Sequence, residues 1–164
     1  MSESAADGSP RPDGPGQTVL VVDDEEGLRS LVCRTLRGEG YRTLEASHGA
    51  EALELVEASS GPVDLVVTDM VMPGMDGREL GRRLAQRWPT LPILYISAYD
   101  VNDIFRRGSP RSSAPFLQKP FAPDGLLTVV RGLLRDGGRR AEPSRSPADP
   151  SRVENLPHGA RELP

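Results

Sequence analysis

Three carboxylates, a hydroxyl and a lone lysine recur at equivalent places in this sequence, each after a short apolar run. Asp23 and Asp24 follow Thr-Val-Leu-Val-Val, Asp69 follows residues 63–68, Ser97 follows residues 92–96, and Lys119 follows Phe-Leu-Gln. Carboxylates a few ångströms apart repel by roughly 1–4 kcal/mol per pair at effective dielectrics of 80 to 20. Such a group needs a raised pKa or a cation. Hard oxygen ligands beside an ammonium favour Mg2+, which takes few protein ligands and commonly clamps phosphate oxygens. With charge neutralised, an aspartate can attack phosphorus as a nucleophile. Ser97 and Lys119 would then offer a hydrogen bond and a positive charge to the oxygens of the transferred group. An acidic pair by itself is usually just solvated; recurrence at successive strand ends gives the set its meaning. Lys119 adds to it, because Arg supplies all but one of the 20 Lys and Arg residues. A compact ammonium reaches into a small site where a flat guanidinium does not fit.

These positions depend on alternating strands and helices. Thr18–Val22 is a continuous apolar run, the pattern of a strand buried on both faces. A helix follows with Leu28, Leu31, Val32 and Leu36 on one face, closed by Gly38 and Gly40. Residues 41–46 read as the second strand, 50–58 as a helix with Leu53 and Val56 inward, and 63–68 as the third strand. Asp76 and Glu79 form a capping-box-like pair for a helix that Pro89 stops after Trp88. Residues 92–96 give a fourth strand and 101–107 a short helix, broken by Gly108, Pro110 and serines. Phe116–Gln118 is the fifth strand. Pro123 opens a last helix with Leu126, Leu127, Val130, Leu133 and Leu134 on its apolar stripe. Five strands alternating with five helices imply an α/β fold, a doubly wound parallel sheet covered on both faces. Its site lies beyond the carboxyl ends of the strands.

Composition sets the frame. The length of 164 residues suits one domain with a real core. Residues 1–16 and 136–164 are rich in Gly, Pro, Ser and mixed charge and read as disordered tails flanking a domain over 17–135. A net charge of −4 offers no broad basic surface for nucleic acid. The acidic opening MSESAADGSP argues against a signal peptide, and no apolar run is long enough to cross a bilayer. The single cysteine, Cys33, fits a small apolar residue inside a helix in a reducing, cytoplasmic setting.

The segments VVDDEE, VVTDMVMPGMDG, ISAY and FLQKPF, in this order, resemble the bacterial two-component response-regulator receiver domain. The likeness covers about residues 18–135. It implies a flavodoxin-like sheet with strand order 2-1-3-4-5. It also implies a phosphoprotein that accepts a phosphoryl group from a histidine kinase or phosphotransfer protein onto Asp69. Residue by residue, Asp24 and Asp69 match the direct carboxylate ligands of Mg2+, Asp23 the acid acting through water, and Val71 the backbone carbonyl of the metal shell. Ser97 matches the hydroxyl that follows the phosphorylated state, Lys119 the lysine pairing with phosphoryl oxygens, and Phe116 the aromatic switch position. Lys119-Pro120 matches a cis bond, and Pro73, Gly74 and Gly77 the turn after Asp69. Phosphorylation adds about 1.5–2 negative charges, which would draw Ser97 and let Phe116 rotate inward, biasing a two-state surface. Val71 and Tyr99 flank the path of the hydrolytic water, and neither suits orienting it, so slow self-dephosphorylation is expected.

The loose segment between Ser97 and Phe116 departs from the family, and with Tyr99 it resembles receivers of hybrid histidine kinases. The tail after Arg135 lacks the apolar helices of a DNA-reading module, so output by protein contact is expected, with a homodimer left open. One alternative is that the chain is the receiver portion of a hybrid kinase. The other is an aspartyl-phosphate phosphatase of the haloacid-dehalogenase kind, which needs a second acid where Val71 stands. His48 reads as a turn residue rather than a phosphate relay.

Overall fold

The structure, a computed structural model, describes residues 16–99 and 114–140, with side chains through 136. Five parallel strands form one sheet in the order β2-β1-β3-β4-β5. They are β1 (Thr18–Val22), β2 (Arg42–Ala46), β3 (Leu65–Asp69), β4 (Ile93–Ser97) and β5 (Phe116–Gln118). Four helices occur among the described residues: α1 (Glu26–Gly38), α2 (Gly49–Ala58), α3 (Gly77–Arg87) and α4 (Pro123–Arg140). The further helix expected over 101–107 lies outside the described residues.

Side chains alternate across a strand, and here the alternation sorts the core into two layers. Val19, Val21, Leu65, Val67, Leu94 and Ile96 face α1 and α4, where Val32, Cys33, Leu36, Leu126, Leu127, Val130 and Leu134 meet them. Leu20, Val22 and Val66 face the other way, onto Ala52 of α2 and Leu80 and Leu84 of α3. At about 25 cal/mol per Å2 of apolar surface, each fully buried Leu or Val contributes roughly 1.5–3 kcal/mol. The reversal of strand order between β1 and β3 opens the crevice in which such folds bind ligands.

The helix ends follow the sequence, with differences. Asp76 caps α3 by accepting from the Glu79 backbone N–H at 2.9 Å. Glu79 does not complete the box; its carboxylate takes Arg82 and Arg83. Those two guanidinium groups hold it down to about 2, most of all the Arg82 hydrogen bonds. Gly40, at φ 90, allows the turn from α1 into β2.

Leu31, read from the sequence as core-facing, is 51% exposed, and Cys33 is buried in its place. The core stripe of α1 runs Val32, Cys33, Leu36, one residue round from Leu31 at 100° per residue. Leu53, Val56 and Leu133 pack only half-buried at the margins. The last helix continues to Arg140, past the boundary expected at 135. Extending an anchored helix adds one bond per residue fixed, so Gly137 and Gly138 weaken that end without stopping it.

Candidate functional site

Strand β1 ends at Val22, and the chain leaves the sheet through Asp23, whose N–H donates to the Ala46 carbonyl at 3.1 Å. The Asp23 Oδ1 accepts from the Glu25 N–H at 2.9 Å, turning the chain into α1. Asp23 is buried and Asp24 exposed. Asp69 is the last residue of β3, not the first beyond it. Ser97 is likewise the last residue of β4. The ladder explains both shifts: Met70 N–H donates to Ile96 C=O at 2.9 Å, and Lys119 N–H to Ser97 C=O at 2.8 Å.

This arrangement gathers the acids. One carboxylate oxygen each from Asp23, Asp24 and Asp69 lies within 4.8 Å of the others. Lys119 Nζ stands 3.4 Å from Asp69 Oδ2 and 3.7 Å from Asp23 Oδ2, with its side chain 20% exposed. Burial, and secondarily the Asp69 charge, raise the Asp23 carboxyl above its ordinary range, against the opposing pull of the Glu25 amide and Lys119. One ammonium thus faces three carboxylates, an excess of negative charge that suits a divalent cation.

The remaining residues sit around this centre. Val71 N–H approaches Asp69 Oδ1 at 3.4 Å, while the Val71 side chain is 56% exposed. Ser97 is buried, and its Oγ accepts from the Tyr99 N–H at 3.1 Å. Tyr99 is 60% exposed at the rim. Phe116 is half-buried, stands outside both core layers and pairs in register with Tyr95. The Lys119-Pro120 bond is cis.

The loop after Asp69 shows why two of its glycines are needed. Gly74 has φ 77, a left-handed turn that side chains resist. Gly77 is constrained differently: a Cβ there would lie 2.3 Å from the Asp69 carbonyl oxygen and 2.9 Å from Met70 Cα. The first turn of α3 therefore presses directly on the backbone of the acid.

His48 is not part of the acid cluster. It caps α2, its Nδ1 accepting from the Glu51 N–H at 3.2 Å. Cys33 is buried and its thiol pushed up to about 11, chiefly by burial, so it is inert at neutral pH. Two contributors escape sequence reading. Thr68, fully buried, donates its hydroxyl to the Asp69 carbonyl at 3.0 Å. Arg29 Nη1 donates to the Asp23 carbonyl at 2.8 Å. No local pattern marks either one.

Residues 19–131 match the response regulator receiver domain family. The chain belongs to that family. Over 118 residues it is 42% identical to the sensor kinase CckA of Brucella abortus (strain 2308), covering 71% of this chain and 12% of that protein. Over 133 residues it is 38% identical to the response regulator MprA of Mycobacterium sp. (strain KMS), covering 81% of this chain and 55% of MprA. The chain thus spans little more than half of the second relative and far less of the first. Among solved structures, the receiver domain of the hybrid histidine kinase CckA aligns with TM-score 0.60 and 35% identity, over 71% of this chain and 98% of that one. A response regulator receiver protein from Sinorhizobium medicae WSM419 aligns with TM-score 0.65 and 32% identity, over 74% and 96%. This is a receiver domain of two-component signalling, in the flavodoxin-like fold anticipated from its motifs. Among the described residues no helix is long and apolar enough to cross a membrane.

Proposed function

We propose that this receiver accepts a phosphoryl group from the phosphohistidine of a histidine kinase or phosphotransfer protein onto Asp69. The observation that carries the reading is the three-carboxylate cluster with Lys119 Nζ 3.4 Å from Asp69 Oδ2. Asp24, Asp69 and the Val71 carbonyl would hold Mg2+, with Asp23 acting through water; the ion supplies charge neutralisation at the phosphoryl oxygens. The donor set fits that role, being all oxygen and short of positive charge.

An Asp69 carboxylate oxygen attacks phosphorus, forming an acyl phosphate. The phosphorus–nitrogen bond breaks, and its electron pair returns to the donor imidazole. Lys119 pairs with the phosphoryl oxygens, and Ser97 donates its hydroxyl to one of them. That movement draws Ser97 away from the Tyr99 amide and frees room for Phe116, changing the protein-contact surface around β4, β5 and α4. Val71 and Tyr99 offer a hydrolytic water no carboxylate or amide, so the acyl phosphate is long-lived. The similarity to CckA favours a receiver of the kind that hybrid kinases carry. A phosphatase reading is disfavoured, since Val71 stands where a general acid would be required.

Transfer from a phosphohistidine donor protein tests the proposal. Label should pass to the chain, be released by hydroxylamine as an acyl phosphate, and persist for minutes after the donor is removed. Label resistant to hydroxylamine would contradict an aspartyl phosphate, and loss within seconds would contradict the lifetime assigned to Val71 and Tyr99.

A further inference from the structure

Arg29 stands outside the acid cluster but is built into its support. Its side chain is 15% exposed, and Nε, sealed from solvent, makes no hydrogen bond among the described residues and stands 3.5 Å from Glu45 Oε2 on β2. Its Nη1 reaches the Asp23 carbonyl at 2.8 Å. Glu45 is held from the other side by Arg37 at 2.9 Å. A guanidinium this enclosed is costly to desolvate unless its contacts compensate, which sets it apart from the exposed Arg82 and Arg83 pairs on α3.

The bonded carbonyl is what matters. It belongs to the peptide unit joining Asp23 to Asp24, and that unit is planar. The Ala46 carbonyl fixes the Asp23 N–H, the Glu25 amide fixes the Asp23 carboxylate, and Arg29 fixes the plane through which the chain passes to Asp24. Asp24 itself is exposed, so the direction in which its carboxylate leaves the backbone depends on that plane.

We infer that Arg29 is a positioning residue for the divalent cation, holding the Asp23–Asp24 peptide against Glu45 so that both acids face Asp69. The inference rests on the metal reading above. It makes a prediction of sign. A guanidinium acting only through its charge would repel the cation, and its removal would tighten binding. A guanidinium acting through position makes removal weaken binding.

The experiment is calorimetric titration of Mg2+ into the full chain and its Arg29→Met, Arg29→Lys and Arg37→Met variants, with thermal unfolding of each in EDTA. Arg29→Met should bind about 10-fold more weakly, the usual effect of losing support behind a metal ligand. Arg29→Lys keeps the charge and one donor but cannot span both partners, so its loss should be smaller. Arg37→Met removes the same charge from Glu45 without touching Asp23, and should bind Mg2+ as the parent does. Unchanged or tighter binding by Arg29→Met, or an equal loss in Arg37→Met, would overturn the assignment. A fall in melting temperature without a fall in affinity would do the same, leaving Arg29 a staple of the fold. Should Arg29→Met fail to fold, parent-like affinity in Arg29→Lys overturns it and a reduced affinity supports it. A parent chain that binds no Mg2+ would bring down the metal reading itself, and the inference with it.

Discussion

The acid side of the site and its β5 edge are packed very differently. Every residue of β3 is buried, and four of five in β1, while β5 is three residues long with none buried. On the acid side, Asp23, Asp24 and Asp69 emerge from the sheet centre, braced by helices on both faces and by hydrogen bonds from Glu25, Arg29 and Thr68. On the other side, Phe116 is half-buried on an edge strand that, among the described residues, pairs with β4 alone. Like charges held close need a scaffold that cannot relax, because relaxation would let them drift apart. A surface that changes shape needs the opposite, and sparse packing is where proteins open first. On the proposed function, rigidity falls to the chemistry and slack to the response.

Truncation on each side tests that contrast most strongly. Leu65→Ala, in the fully buried β3, should cost about 3–4 kcal/mol. Phe116→Ala, three residues before Lys119 and half-buried, should cost about 1 kcal/mol. Denaturant unfolding measures both, and equal losses would break the comparison.

A smaller effect is expected from the glycine pressed against the acid. Gly77→Ala places a methyl against the Asp69 carbonyl and should cost about 2–3 kcal/mol through overpacking, together with slower phosphorylation. Gly132→Ala meets nothing within 4 Å and should be neutral or slightly stabilising, since Ala favours helix. Identical behaviour of the two variants in thermal unfolding would mean that the acid side has slack after all.

The smallest effect concerns charge. The Asp23 carboxyl is raised in the folded state, so its ionisation opposes folding. That cost is absent below the unfolded value of 3.8 and fully present once pH exceeds the raised value. Asp23→Asn should therefore stabilise the metal-free domain at pH 7, with the gain vanishing below the unfolded pKa and reversing when Mg2+ is added. A variant less stable than the parent in EDTA at pH 7 would show that the Lys119 attraction outweighs burial and repulsion.

Much of this was legible in the sequence, for identifiable reasons. Central strands of a parallel sheet are apolar on both faces, so Thr18–Val22 stood out as an unbroken run, and the residues after such runs named the acid cluster and Lys119. The exact strand ends were not legible. Asp69 and Ser97 belong to their strands because of backbone ladder bonds, which leave no side-chain signature. Leu31 misled because an apolar residue one position off the stripe looks the same as one on it until the helix is docked. Arg29 was invisible for a compositional reason: in a chain that uses Arg for nearly every cation, an enclosed guanidinium is not distinguished from a solvated one.

The central claim is that the braced carboxylates serve Asp69 as phosphoryl acceptor. Intact-mass measurement after incubation with a small acyl phosphate tests it most directly, with and without Mg2+, on the parent and on Asp69→Asn. The account predicts a gain of one phosphoryl group in the parent only when Mg2+ is present, and none in Asp69→Asn. An equal gain in Asp69→Asn, or a gain indifferent to EDTA, would contradict it.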